Sequence, residues 1–246
     1  MATYIPAEAQ TAVDKHWMRL ALSMAQEAYD ASEIPVGCVF VEQTEPGTPL
    51  HASTNGYGRM IAKSRNRTNE LRNATLHAEL EAIGQILREQ DHKLLHRTTL
   101  YVTIEPCIMC ASALRQVGIN HVVYGAGNER FGGCGSVVPI NDEPLLKYQK
   151  AYTALGGVFR DEAIMLLRRF YMTENSNAPQ PRKKQTRILK TEIPPVPPTS
   201  RMHTPNGSVV PSPSITPTPI PPQTAHSTCP PDSPVPVSFT PTLENV

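Results

Sequence analysis

Hydrophobic and polar positions follow regular patterns along the first two thirds of the chain. Apolar side chains recur at helical spacing from residue 11 to about 30, which predicts a first helix. Two stretches rich in β-branched residues, 34–42 and 98–105, are predicted to be buried strands, as is the shorter apolar run 121–126. Because strands and helices alternate, we predict an α/β fold in which helices cover a sheet.

Weaker patterns predict the remaining elements. A further strand is predicted at about 50–56, and loops are predicted over 58–73 and, rich in glycine, over 127–138. Three more helices are predicted: one over 75–89, one from the EPCIMC stretch to about 117, and one over 160–173. Helical structure is also predicted near 144–155.

Proline content divides the chain into two parts. Residues 175–246 hold 18 of the 25 prolines and a single aromatic residue, Phe239. Such a segment buries too little apolar surface to offset the entropy lost on ordering. We therefore predict one domain over 1–174 and a disordered, proline-rich tail over 175–246.

Charge adds one feature to the tail. The formal net charge of the chain is only +1, and the domain itself is near neutral, so it attracts nucleic acid weakly on its own. Five basic residues lie together in RKKQTRILK, 182–190. This stretch fits a contact with RNA phosphates, a nuclear import signal or a solvated charge run, and the sequence leaves all three open.

The cysteines and the apolar runs indicate the compartment. There are five cysteines, an odd number, and no signal-peptide pattern. No apolar run approaches the roughly 18 residues of a membrane span. We expect a protein of the nucleus or cytoplasm, not secreted and not bound to a membrane, whose cysteines serve as thiols or metal ligands.

Two short motifs carry the candidate chemistry. In HAEL, His77 and Glu79 are two residues apart, a spacing that serves one site only where a helix begins. In PCIMC, Cys107 and Cys110 are three apart and share one helix face, near an N-terminus that favours thiolates. Two thiolates and one histidine make a three-ligand Zn²⁺ site with an open position, typical of catalytic zinc.

Glu79 favours catalysis over a structural metal. Cys38 or Cys134 could supply a fourth ligand and close the site, but that hypothesis leaves Glu79 without a role. A glutamate beside an open zinc site moves protons for a metal-activated water. The pairing of H-x-E with P-C-x-x-C is the signature of zinc-dependent nucleobase deaminases, in which the water replaces an exocyclic amine and ammonia leaves.

Longer stretches narrow the class. Five stretches carry a more specific resemblance: IPVGCVF, NRTNELRNATLHAEL, LYVTIEPCIMCASALRQVGI, VVYGAGNERFGGCGSVV and IMLLRRFYMTEN. Over roughly 12–175, the chain resembles the catalytic subunits of eukaryotic tRNA adenosine deaminases. The resemblance implies a cytidine-deaminase-like three-layer α/β/α sandwich with a central mixed sheet. It also implies conversion of adenosine to inosine at the tRNA wobble position, and a heterodimer with a related, catalytically inactive subunit that lacks the glutamate.

The resemblance also implies substrate contacts. Asn66 matches an asparagine that contacts the nucleoside, Val36 lines the base pocket, and Asn128 touches the target or a flanking nucleotide. Phe170 and Tyr171 match aromatic residues that flank the splayed anticodon bases. Simpler roles stay open: Asn66 as a turn cap and Phe170 as core packing.

Two rival functions remain at this point. One is a deaminase of a free nucleoside, nucleotide or base, of the cytidylate or guanine type. The other is a zinc-stabilised scaffold without catalysis, against which Glu79 argues.

Overall fold

The computed structural model describes residues 2–43, 57–144, 146, 149–174 and 188–196, together with the strand backbones at 201–203 and 209–210. Its strands, in chain order, are β1 (Thr3–Tyr4), β2 (Gly37–Glu42), β3 (Arg59–Arg65), β4 (Thr98–Ile104), β5 (His121–Ala126), β6 (Thr153–Leu155), β7 (Arg201–His203) and β8 (Val209–Val210). Its α-helices are α1 (Ala12–Asp30), α2 (Ala78–Glu89), α3 (Ile108–Gln116) and α4 (Arg160–Met172). Short 3₁₀ turns lie at Ala7–Ala9, His92–Arg97 and Ile140–Asp142.

A mixed sheet with the strand order β3-β2-β4-β5-β6 forms the centre of the fold. β2 pairs antiparallel with both β3 and β4, whereas β4, β5 and β6 run parallel. Parallel strands need crossover connections: α3 connects β4 to β5, and the described part of the connection from β5 to β6 contains the 3₁₀ turn Ile140–Asp142. The mixed sheet agrees with the α/β prediction.

Alternate side chains of β2 face opposite layers. Val39 and Val41 pack with Trp17 of α1, while Cys38 and Phe40 pack into a second cluster that includes residues of α2 and α3. Such alternation is the consequence of the two-residue period of a strand. Helices therefore cover both sheet faces, and the three-layer α/β/α sandwich is confirmed.

The close packing of α1 on the sheet depends on one glycine. A Cβ on Gly37 would lie 2.3 Å from the carbonyl oxygen of Ala21. The absence of a side chain at the first residue of β2 lets the helix backbone approach the strand. Thr11 and Asp14 form a reciprocal capping box at the start of α1, so this helix begins where the periodicity begins.

Two predicted elements are wrong. The predicted loop 58–73 contains the strand β3. Because β3 lies at the edge of the sheet and pairs on one side only, its side chains can be polar, and the sequence does not look like that of a buried strand. The helical structure predicted near 144–155 is also wrong, since the strand β6 occupies the last part of this range. Before β6, the buried Arg115 guanidinium donates to the carbonyls of Ile140, Leu146 and Gln149 and so satisfies backbone groups that a helix would have paired. The predicted strand at 50–56 lies outside the described residues.

Part of the predicted tail is described. Residues 188–196 lie along α4, where Arg168 donates to the carbonyls of Lys190 and Glu192, and Arg160 donates to the carbonyl of Pro194. β7 pairs in parallel with β1 and antiparallel with β8. Residues 214–246 lie wholly outside the described residues. No helix among those described is long and apolar enough to cross a membrane.

Candidate active site

Two helix N-termini bring the predicted metal ligands together. His77 is the N-cap residue of α2, and Cys107 is the N-cap residue of α3. The Nδ1 atom of His77 lies 3.5 Å from the Sγ atoms of both Cys107 and Cys110. Among the residues that the structure describes, this is the group of three whose donor atoms could hold a metal ion. Thiolate and imidazole are ligands that Zn²⁺ prefers, and three of them leave a coordination position for a reactant.

The local electrostatics favour an anionic sulfur. A hydrogen bond with Cys110 lowers the pKa of the Cys107 thiol to about 4, although burial opposes this change. A hydrogen bond with Cys107 raises the pKa of the His77 imidazole, and the hydrogen bond between Cys107 and Cys110 raises the pKa of the Cys110 thiol. A thiolate at the start of α3 is the charge that a helix N-terminus stabilises.

The two remaining cysteines of the domain are placed differently. Cys38 is fully buried on β2, and burial raises the pKa of its thiol. Cys134 is also buried, and its Sγ lies 3.5 Å from the Tyr152 hydroxyl. Neither belongs to the His77, Cys107 and Cys110 group. The arrangement therefore favours a three-ligand site over one closed by a fourth cysteine.

Glu79 lies in the first turn of α2, beside the ligand group. Its side chain is buried, and its Oε2 atom has no hydrogen-bond partner among the described residues. Burial raises the pKa of its carboxyl to about 7. A buried carboxyl group with a free oxygen and a pKa near neutrality is suited to accept a proton and return it.

These groups open into one cleft with a volume of about 920 Å³. Seven of the nine predicted site residues line it: Val36, Asn66, His77, Glu79, Cys107, Asn128 and Tyr171. Cys110 is buried and does not line the cleft, but its Sγ atom lies 3.5 Å from Nδ1 of His77. A cleft of this size falls within the range of ligand sites and admits a whole nucleoside.

The two predicted aromatic residues of α4 diverge. Tyr171 is 52% exposed and lines the cleft. Phe170 does not line it, because consecutive residues of a helix point in different directions. Its ring packs edge-on against Tyr29 of α1, with centroids 6.4 Å apart. The geometry therefore favours the packing role for Phe170, and Tyr171 is the one of the two that lines the cleft.

Asn128 belongs to a loop that a buried glutamate organises. Its backbone N–H donates to Glu105, and its Oδ1 accepts from the N–H of Phe131. Glu105 also accepts from the N–H groups of Cys134 and Ser136. The glycine-rich loop is thus held against the end of β4, with Asn128 at its start.

The sequence analysis missed Glu105 and a second buried glutamate, Glu33. Both are almost fully buried, which is rare for a glutamate without partners. Glu33 directly precedes the IPVGCVF motif and Glu105 directly precedes the PCIMC motif, yet neither motif assigns the glutamate a role. A charged residue at the end of an apolar strand can indicate burial, but the partners of both glutamates are distant in sequence.

Arginines from two elements also line the cleft, and the sequence analysis did not single them out. Arg160 and Arg168 come from α4, and Arg130 comes from the glycine-rich loop. Guanidinium groups bind phosphate oxygens well, so a polyanionic ligand matches this wall. Two of them donate to carbonyls of 188–196, whose residue Pro194 lines the cleft too.

The fold and the His/Cys/Cys group beside a buried glutamate define a deaminase of the zinc-binding class. Residues 11–126 match the family described as the cytidine and deoxycytidylate deaminase zinc-binding region.

Two relatives identify the family within this class. The chain is 43% identical over 178 residues to tRNA-specific adenosine deaminase 2 of Danio rerio, covering 70% of this chain and 77% of that protein. It is 42% identical over 177 residues to the tRNA-specific adenosine deaminase subunit tad2 of Schizosaccharomyces pombe, covering 72% of this chain and 42% of that longer protein. The chain belongs to the tRNA-specific adenosine deaminase family.

A solved structure supports the same assignment. It comes from a study of A-to-I editing by tRNA:A34 deaminases at the wobble position of transfer RNA. The similarity has a TM-score of 0.52 and 33% sequence identity, and it covers 61% of this chain and 98% of the solved chain.

Proposed function

We propose that this protein hydrolyses adenosine to inosine at the wobble position of tRNA anticodons, releasing ammonia. The observation that carries the proposal is the unpartnered Oε2 of Glu79, buried beside the His77, Cys107 and Cys110 group in a nucleoside-sized cleft. A scaffold would have no use for a buried, unpaired carboxyl oxygen, which costs about 1–3 kcal/mol. The relatives named for tRNA adenosine deamination support the choice of substrate.

His77, Cys107 and Cys110 are proposed to hold one Zn²⁺ ion. The donor set fits zinc, because it combines one imidazole nitrogen with two sulfurs, one of them with a pKa lowered to about 4. When bound, zinc supplies the Lewis acidity that makes water a nucleophile at neutral pH.

Glu79 is proposed to carry the protons of the reaction. Its carboxylate accepts a proton at Oε2 from the water that attacks the amino-bearing carbon of adenine. The protonated carboxyl donates this proton to the base. The carboxylate then accepts the second proton from the hydroxyl group now bonded to the carbon and donates it to the departing amine, so one water is consumed and one ammonia is released. A pKa of about 7 suits both directions of transfer.

The substrate contacts are proposed as follows. Val36 contacts the base, Asn66 binds the nucleoside through its amide, and Asn128 contacts the target or a flanking nucleotide; all three line the cleft. Tyr171 stacks on an anticodon base, for which its exposed position is suited. Phe170 supports the Tyr171 ring, with centroids 5.5 Å apart, rather than stacking on a base itself.

We propose that the protein acts on tRNA as a heterodimer with a catalytically inactive paralogous subunit. An apolar patch beside the metal group supports an interface there. Its members are 36–58% exposed: Ile108, Met109, Phe131 and Val137. The N–H of Ile108 donates to the carbonyl of Phe131, so helix and loop present this patch together. We expect the complex in the nucleus or cytoplasm.

The deciding experiment is inosine formation in an anticodon stem-loop that carries adenosine at the wobble position. The full chain is assayed alone and with the partner subunit, and metal content is measured on the same samples. We expect inosine with the partner, at about one zinc per chain. Deamination of a free nucleoside or base by a zinc-loaded complex that ignores the stem-loop would replace this proposal with the free-substrate alternative.

A further inference from the structure

Glu33 is a buried centre of side-chain hydrogen bonds next to Asn66, one of the residues that line the cleft. It follows α1 and is fully buried. Its Oε1 accepts from the backbone N–H groups of Asn69 and Glu70, each at 2.7 Å. Its Oε2 accepts from the side chains of Asn66, Thr68 and Asn69 at 2.9–3.2 Å. Five donors thus converge on one carboxylate.

This centre determines how the Asn66 amide is oriented. A carboxylate accepts hydrogen bonds and has none to donate, so the amide must turn its NH₂ group toward Glu33. The second Nδ2 hydrogen is directed at Thr68 Oγ1, 3.1 Å away. Both amide donors are therefore used within the protein. Oδ1 has no hydrogen-bond donor among the described residues, and it is the amide atom left for the cleft that Asn66 lines.

The backbone around Asn66 reinforces this orientation. Its N–H donates to the carbonyl of Val36, and the N–H of Arg67 donates to the carbonyl of Leu76, the residue before His77. The hydrogen bond between Arg67 and Leu76 thus joins the two ends of the loop between Asn66 and His77, and Glu33 holds the first part of this loop. A shift of this loop would move Asn66 relative to the metal ligand.

We propose that Glu33 is a positioning residue that fixes Asn66 with its Oδ1 toward the cleft, so that the cleft selects a nucleoside through a hydrogen-bond donor. This inference rests on the proposed function for the identity of the substrate. It goes beyond it in assigning a role to Glu33 and a polarity to the Asn66 contact: the protein accepts, and the nucleoside donates.

Exchanging the two side-chain types tests the proposal. Asn66→Asp sets two carboxylates against each other, so we expect kcat/KM for the stem-loop to fall about 100-fold. Adding Glu33→Gln restores the pair with its direction reversed, since the new carboxamide donates to the new carboxylate. The cleft-facing atom at position 66 is still an acceptor, so the double variant should recover at least about tenfold.

Asn73→Asp is the matched control. It makes the same amide-to-carboxylate change in the same loop, but the Asn73 side chain accepts hydrogen bonds from Thr75 rather than donating to Glu33, and Asn73 does not line the cleft. The new carboxylate can still accept from Thr75, so we expect kcat/KM to change less than about threefold. All variants are assayed as full chains with zinc and the partner subunit, and KM and kcat are determined separately.

The outcomes are distinct. A double variant no more active than Asn66→Asp, at equal zinc content, would overturn the proposal, as would an equal loss of activity in Asn73→Asp. If the wild-type complex makes no inosine, the proposed function fails, and the urea midpoints of the same variants decide the pairing. Recovery of the midpoint in the double variant then supports the Glu33–Asn66 pair, and no recovery overturns it.

Discussion

The Nδ1 atom of His77 and the Sγ atom of Cys107 lie 3.5 Å apart although the residues are 30 positions apart in the chain. Each is the N-cap residue of its helix, and α2 and α3 pack into the same core cluster on one face of the sheet. Two helix N-termini therefore meet at one point, and both favour negative charge there. This geometry explains how a residue two positions after His77 serves the same site: Glu79 stands in the first turn, where the chain has just entered the helix.

Glu79→Gln tests the proposed proton transfer. The substitution keeps the size of the side chain but removes its ability to accept and return a proton. We expect kcat for inosine formation to fall by about 10²–10⁴-fold, with the zinc content unchanged. The measurement is single-turnover deamination of the stem-loop, with metal analysis on the same protein.

Glu89→Gln is the control for this substitution, since Glu89 lies at the far end of α2. It should leave the rate unchanged. Normal turnover by Glu79→Gln would remove Glu79 from the mechanism, whereas zinc loss would make its role structural.

Gly132→Ala tests the fixed position of the glycine-rich loop. A Cβ there would lie 2.6 Å from the backbone oxygen of Asn128 and 2.6 Å from Oε1 of Glu105. The loop must shift away from its anchor, so we expect a loss of about 1–3 kcal/mol in the free energy of unfolding and a higher KM. Urea unfolding and stem-loop kinetics measure the two effects.

The same substitution at Gly84 is expected to raise the free energy of unfolding rather than lower it. Gly84 is half-buried, and its new Cβ would meet only the end of the Arg88 side chain, at 3.3 Å. We expect Gly84→Ala to stabilise the protein by about 0.5–1 kcal/mol without changing KM. Equal effects of the two substitutions would contradict a fixed loop.

The elements that carry the site were predictable from sequence, because local physics determines them. α1 has its capping box and apolar period, and β5 was predicted with its observed bounds. Cys107 and Cys110 are three residues apart, a spacing that places both side chains on one face of a helix. The group of metal ligands could therefore be predicted from two short motifs.

The parts that were not predictable depend on distant partners. β3 looks polar because it is an edge strand, and its identity comes from pairing with β2. The segment before β6 is held by Arg115, which belongs to α3. Glu33 and Glu105 are buried only because loops 23 to 37 residues away donate hydrogen bonds to them. A single sequence does not pair such groups.

Tyr171→Ala tests the aromatic wall of the cleft. Loss of one base–aromatic stacking contact costs about 1–3 kcal/mol, so KM for the stem-loop should rise about 5- to 150-fold. Tyr171→Phe keeps the ring and should retain most of the affinity. Phe170→Ala, by contrast, removes packing against Tyr29 and should lower stability more than it raises KM. A Tyr171→Ala enzyme with the wild-type KM would rule out stacking at this position.

The ion pairs of Glu70 give the loop before His77 a defined dependence on pH. Glu70 accepts hydrogen bonds from Arg67 at 2.7 Å and from Arg65 at 2.8 Å, which lower the pKa of its carboxyl from 4.5 to about 2. Because the folded-state pKa is the lower one, the stabilisation is fully present above pH 4.5 and is lost as the pH falls toward 2. The side chain is 37% exposed, so solvent screening limits the contribution to about 1 kcal/mol at most.

Glu70→Gln should therefore be less stable than the wild type at pH 6, and the difference should shrink steadily as the pH falls from 4.5 to 3. Added salt should reduce the difference at pH 6, since the pairs are partly exposed. Urea midpoints of both proteins across this range provide the measurement, with Glu89→Gln as a variant that removes a carboxylate outside the ion pairs found among the described residues. A difference that stays constant from pH 6 to 3 would mean that the two arginines hold the loop through their packing rather than through the Glu70 charge.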